Sequence, residues 1–157
     1  MVIRIIAVGK IKELYLKDAI DEYSKRLSKY TKSEIEEVLE EKIPNETEAY
    51  LEIAKEKEGE RILKKIKEGD YVFLLDLRGE AIDSVAFASL LDKAFLKSAT
   101  IDFVIGGSYG VSDEVYKKAD KVLSFSKLTF PHQLFRVVLL EQIYRGFKIL
   151  NNEKYHK

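Results

Sequence analysis

The residues in this chain that could do chemistry are few, and most lie near its end. There are two histidines, His132 and His156, and no cysteine. Lack of cysteine excludes a disulfide framework, a thiolate nucleophile and a thiolate zinc site. Two histidines are too few for a histidine-rich metal centre, so metal-free chemistry is expected. His156 belongs to the terminal run Tyr155-His156-Lys157. An aromatic ring, a titratable ring and a cation in sequence suit stacking on a base and contact with phosphate; the same run also reads as a frayed end. His132 follows Pro131 at the head of a long apolar stretch, where a plain first-turn polar role is equally open. Arg136, Glu141 and Arg145 interrupt that stretch. Glu141 and Arg145 are four apart and also suit a surface ion pair.

Two glycine- or proline-marked stretches add to these residues. Gly106-Gly107-Ser108-Tyr109-Gly110 has the form GGxxG rather than GxGxxG and carries no lysine–serine pair of the Walker type. It follows an apolar run and precedes a polar helix, as phosphate-binding turns do. A tight turn whose glycines take positive φ is the other reading. Ser124-Phe125-Ser126-Lys127-Leu128-Thr129-Phe130-Pro131-His132 is unusual for a connector, being apolar at Leu128 and Phe130. Connectors are normally polar, with turns set by Gly or Asn. A rigid apolar loop suggests a wall for a ligand.

The elements that must position these residues alternate. Val2–Val8 reads as a buried strand. Leu14–Tyr30 is an amphipathic helix through Leu16, Ile20, Tyr23 and Leu27, and Ser33–Leu39 a short acidic edge strand. Thr47 is placed to cap a helix running to Lys67. Tyr71–Leu77 is a continuous apolar run, as in strands of a parallel sheet covered on both faces, and Arg78-Gly79 is expected to turn the chain. Ser84 is placed to cap the next helix. Ile101–Ile105 and Val122–Ser126 are further strands, Ser112 begins a short helix, and Leu134–Phe147 forms the closing one. This alternation predicts an α/β fold with a mainly parallel sheet and helices on both faces, as a single domain over residues 1–157. In such sheets ligands bind beyond the carboxyl ends of the strands. Leu75–Gly79, Gly106–Gly110 and Ser124–Pro131 all leave strand ends, which predicts a pocket there.

Composition sets the remaining bounds. The chain has 157 residues, 46% hydrophobic and 34% charged, with 27 basic and 27 acidic side chains. A free nucleic-acid binder normally carries a positive excess, so any RNA contact must be local or rely on a partner particle. The Val2–Val8 run is too short to span a membrane and has no signal-peptide flanks, so a cytoplasmic protein is expected.

Taken together, Leu75-Asp76-Leu77-Arg78-Gly79, Phe103-Val104-Ile105-Gly106-Gly107-Ser108-Tyr109-Gly110, Leu123 to His132, Arg136-Val137, Glu141 to Arg145 and Tyr155-His156 resemble the RlmH family. These are pseudouridine N3-methyltransferases of the large ribosomal subunit, in the SPOUT class. The likeness extends to Ala7-Val8-Gly9-Lys10 and Lys57-Glu58-Gly59.

The resemblance implies a C-terminal trefoil knot, a homodimer, and S-adenosylmethionine as cofactor, with the acceptor in a stem-loop of 23S ribosomal RNA in the assembled subunit or ribosome. By motif position it puts the cofactor on Leu75, Gly106, Gly107, Phe125, Ser126, Lys127, Leu128, Thr129 and Phe130. It offers His156 or His132 as base, Tyr155 for stacking, and Arg136 and Arg145 for phosphate or for favouring the deprotonated base. Other readings are a non-catalytic nucleotide-binding or ribosome-associated module, and a SPOUT enzyme acting on transfer RNA.

Overall fold

A computed structural model describes residues 1–157. Five strands alternate with five helices: β1 (Val2–Val8), α1 (Leu14–Leu27), β2 (Lys32–Val38), α2 (Glu48–Leu63), β3 (Tyr71–Ala81), α3 (Ser84–Phe95), β4 (Thr100–Ile105), α4 (Asp113–Lys118), β5 (Lys121–Ser124) and α5 (His132–Leu150). The strands form one sheet in the order β2-β1-β4-β3-β5, every pairing parallel. This is the expected mainly parallel α/β architecture.

Successive side chains on a strand face opposite ways, and the apolar runs divide accordingly. Ile3, Ile5 and Ala7 of β1 join Ile101, Phe103 and Ile105 of β4 and Phe73 of β3 on one face. There α1, α3 and α5 cover them with Leu16, Ile20, Phe87, Leu91, Leu140 and Ile143. Ile6, Val8, Val72, Leu74 and Val104 face the other way, onto Ile62 of α2 and Val115 of α4. Two covered faces explain why these strands read as unbroken apolar runs rather than alternating ones.

Helix α1 stops at Leu27 rather than Tyr30, β2 is Lys32–Val38 rather than Ser33–Leu39, and α5 runs from His132 to Leu150, beyond Leu134–Phe147 at both ends. Four further departures have local reasons. Arg78-Gly79 does not turn the chain: β3 continues to Ala81, and both Leu75 and Glu80 pair with Leu123 across an irregular stretch. Gly79 runs so close to β5 that a Cβ would lie 2.5 Å from the Leu123 carbonyl carbon. Asp83 rather than Ser84 caps α3, its Oδ1 accepting the Ala86 N–H at 2.8 Å; the Ser84 hydroxyl instead donates to Gln142 Oε1 on α5. Thr47 holds the cap position of α2 through its backbone alone, and that helix stops at Leu63. β5 ends at Ser124, where the Ser124 hydroxyl turns to donate to the Ser126 carbonyl.

Candidate functional site

Three strands come level where β4 ends at Ile105, β5 nears its end at Ser124 and β3 breaks its regular pairing with β5 after Leu75. Leu75 of β3 pairs with Ile105 of β4 on one side and Leu123 of β5 on the other. The stretches that follow these residues lie side by side and enclose a cavity of about 380 Å³. That is within the range of small-molecule sites, roughly 300–1,000 Å³. Leu75, Gly106, Gly107, Phe125, Ser126, Leu128, Thr129 and Phe130 all line it, whereas Lys127 is exposed and outside the wall. Nine of the 18 lining residues are apolar, so the site offers an apolar bed with a few polar groups among them.

The tight-turn reading of the glycine stretch, with glycines at positive φ, holds at one of its three glycines. Gly110 closes a turn at φ 89° and donates its N–H to the Gly107 carbonyl. Gly107 has no positive φ, and its constraint is space: a Cβ there would lie 2.7 Å from Glu58 Oε1 and 3.0 Å from Val8 Cγ1. Opposite, the Ser126 hydroxyl accepts the Leu128 N–H at 2.9 Å, folding the third loop on itself. Phe125 packs edge-on against Phe87, and Phe130 leans on Phe135, so the apolar loop residues are tied to α3 and α5. Asp76 accepts bonds from the backbone N–H and Nε of Arg78. Burial alone would raise its pKa, but the Arg78 bonds outweigh it and the carboxyl lies below its ordinary value, ionised at the cavity wall.

His132 and Arg136 share the first turns of α5 and differ in role. His132 is half-buried in the cavity wall; burial, then the nearby Arg136 charge, lowers its pKa, so it is neutral at pH 7. Arg136 is fully buried and does not line the cavity. Its guanidinium donates to the carbonyls of Val8 and Gly9 and, at 2.7 Å, to Glu37 Oε2. It fastens α5 to the ends of β1 and β2 through Nη1 and Nη2, while its Nε is buried without a partner.

The remaining three residues gather elsewhere. Glu141 is their hub: its Oε1 accepts from Arg145 at 2.6 and 2.9 Å, and its Oε2 accepts the Tyr155 hydroxyl at 2.8 Å. The Arg145 guanidinium lies 4.7 Å from the centre of the Tyr155 ring and 3.4 Å from His156 Nδ1. Burial and then the Glu141 carboxylate raise the pKa of the Tyr155 phenol, keeping it a donor. The ion pair and the candidate cluster are thus one assembly. His156 lines a second cavity of about 350 Å³ with Ser84, Gln142, Phe125 and Phe130. Phe125 and Phe130 stand in both cavities, as a partition between them.

A family described as "Predicted SPOUT methyltransferase" matches residues 1–156. The chain belongs to the SPOUT methyltransferase family. It is 58% identical over 159 aligned residues to "Ribosomal RNA large subunit methyltransferase H" of Clostridium botulinum (strain Okra / Type B1), with all of both chains covered. It is 55% identical over the same length to "Ribosomal RNA large subunit methyltransferase H 1" of Clostridium perfringens (strain SM101 / Type A), again with full coverage. A solved structure, "a probable methylase family protein from Haemophilus influenzae Rd KW20", superposes over 99% of this chain and 70% of its own with a TM-score of 0.52 at 16% identity. That likeness shows the fold.

As a SPOUT methyltransferase the chain requires a methyl donor, and several residues around its cavities are not among the site residues expected from sequence. Ser108, Val111 and Phe135 line the first cavity, and Gln142 and Ser84 the second. Arg136 carried a legible signal: with Leu139, Leu140, Ile143 and Phe147 it keeps helical spacing along the buried face of α5.

Proposed function

We propose that this protein transfers a methyl group from S-adenosylmethionine to N3 of a pseudouridine in a 23S ribosomal RNA stem-loop of the assembled large subunit or ribosome. In this reading it acts in the cytoplasm as a homodimer of single-domain subunits, each with a trefoil-knotted C-terminal half. The observation that carries it is the cavity beyond the line where Leu75 of β3 pairs with Ile105 of β4 and Leu123 of β5, in a chain of this family. The names of its full-length relatives supply the ribosomal RNA. The close passage of Gly79 over Leu123 suits a knotted crossing.

The cavity residues fit the donor. Leu75, Val111 and Leu123 offer apolar surface for an adenine ring, and Ser108, Ser124 and Thr129 offer hydroxyls for its sugar and amino-acid parts. Gly107, hemmed in from beneath by Glu58 and Val8, leaves its cavity side without a side chain. When bound, the donor supplies a methyl group already activated on a sulfonium. What the protein adds is alignment and a proton acceptor. Positioning two bound reactants is worth roughly 7–11 kcal/mol, against about 10²–10⁴-fold for a general base. Alignment dominates, in keeping with a site that has no tight catalytic dyad. The acceptor imide must lose its proton, and each cavity has one imidazole: His132 beside the donor, His156 beyond the Phe125–Phe130 partition. Tyr155, held by Glu141, offers a ring for stacking, and Arg145 a cation for phosphate. Since His156 faces the second cavity of its own subunit, a second copy is one route by which such a tail would reach a donor cavity.

The formal charge of zero suits a target presented by the ribosome. The test is transfer of labelled methyl from S-adenosylmethionine to ribosomes lacking the modification, with the product mapped by mass spectrometry. Label at N3 of a pseudouridine supports the proposal; no label, with active controls, ends it.

A further inference from the structure

One buried carboxyl group has no part in the chemistry above. Glu58 lies on α2, on the sheet face opposite α5, and is 1% exposed. It shares the inward face with Ala54 and Ile62, four residues to either side, so helical spacing sets a charged residue among core positions. Its Oε2 accepts the Glu41 N–H at 2.9 Å, tying α2 to the segment after β2. Its Oε1 is buried and has no hydrogen-bond partner. Such an atom is costly to keep, and an apolar residue would avoid the cost.

Oε1 points beneath the glycine turn. It would lie 2.7 Å from a Cβ on Gly107, whereas Gly107 itself lines the donor cavity. Any residue larger than glycine there must displace Glu58 or rise into the cavity. Burial raises the Glu58 pKa toward the neutral acid; the Glu41 N–H opposes that, as does Arg61, while Glu40 and the Glu41 carboxylate reinforce it. We propose that Glu58 is a positioning residue of the methyl-transfer site: its Oε1 braces the Gly106–Gly110 turn from below and sets the height of Gly107 in the cavity wall. The identity of the donor rests on the proposed function; the brace itself does not.

Four variants of the full chain test this: Glu58→Ala, Glu58→Gln, Gly107→Ala and the double Glu58→Ala/Gly107→Ala. Hydrogen exchange at the 106–110 amides of the unliganded protein is the first readout. Glu58→Ala should speed exchange there about tenfold or more, leaving the β1 and β4 amides unchanged, while Glu58→Gln, which keeps the shape, stays near the parent. S-adenosylmethionine affinity by calorimetry is the second. Gly107→Ala should weaken it about tenfold or more, and the double variant should recover most of that loss because the methyl drops into the vacated space. Unchanged exchange at 106–110 in Glu58→Ala, or additive effects of the two substitutions, overturns the proposal. Should Glu58→Ala fail to fold, Glu58→Val, which stays apolar but stops short of Gly107, replaces it, with faster or unchanged exchange at 106–110 deciding in the same way. If the parent protein binds no S-adenosylmethionine, the assigned donor is wrong, and the exchange measurement still decides the brace.

Discussion

The two ends of the parallel sheet treat buried charge differently. At the amino end Arg4, 4% exposed, donates from Nε and Nη2 to the two oxygens of Asp102, each at 2.8 Å, and also pairs with Asp70. Asp102 is 0% exposed. At the carboxyl end Arg136 and Glu58 are as deeply buried, yet each retains one atom without a partner, Nε and Oε1. Those are the two such atoms in the molecule, and both belong to side chains at the end where the cavity opens. A satisfied network fixes one arrangement; unsatisfied groups concentrate where function constrains the sequence. The amino end serves the fold, and the carboxyl end gives up some local stability to shape a site.

The widest separation between the ends should come from Arg4→Ala. It leaves Asp102 buried and unpaired, which costs about 3–5 kcal/mol, while donor affinity of the folded protein stays at the parent value. Denaturant unfolding and calorimetry read the two quantities; a matching loss of donor affinity would merge the two ends. Acid should soften this defect. Burial raises the pKa of the Asp102 carboxyl to about 6 against the pull of Arg4, above its unfolded value of about 4. The folded state thus binds the extra proton: the group's contribution is full below about pH 4 and is lost as pH rises through 6. The destabilisation by Arg4→Ala should accordingly be smaller at pH 5 than at pH 7.

At the other end Arg136→Met keeps much of the side chain's bulk but gives up the bonds to Val8 and Gly9. A cost of about 2 kcal/mol is expected, with little from the Glu37 pair because Glu37 is partly solvated. Unlike Arg4→Ala, it should also weaken the donor, since α5 carries His132 into the cavity wall. The smallest stability effect is that of Tyr155→Phe, which removes one hydrogen bond to Glu141 and costs about 1 kcal/mol or less. Turnover should fall while donor affinity holds; unchanged turnover would leave the tail without a role in transfer. His132→Ala and His156→Ala sharpen the assignment of the base: the one that takes the proton loses about 10²–10⁴-fold in kcat, and the other much less.

The sheet was legible in sequence because each stretch buried on both faces, such as Ile3–Val8 or Val72–Leu74, reads as one apolar run. Its register was not. The line joining Leu75 to Ile105 and to Leu123 pairs residues 30 and 48 apart, a matter of tertiary pairing rather than local pattern. Arg78-Gly79 reads as a turn because glycine usually marks one, and here glycine instead permits two backbones to touch. The loops around the cavity could be anticipated from their position after strands. The burial of Arg136 and Glu58 could have been inferred from helical spacing, since each keeps step with apolar neighbours. The partition of Phe125 and Phe130 between two cavities could not, because it depends on how α3 and α5 pack.

A crystal structure of the protein soaked with S-adenosylmethionine is the most direct trial of the account. The donor is expected between Leu75, Gly106 and the Phe125–Phe130 loop, with its methyl directed toward the cavity mouth. Density for the donor at any other surface, or none at saturating concentration, would contradict it.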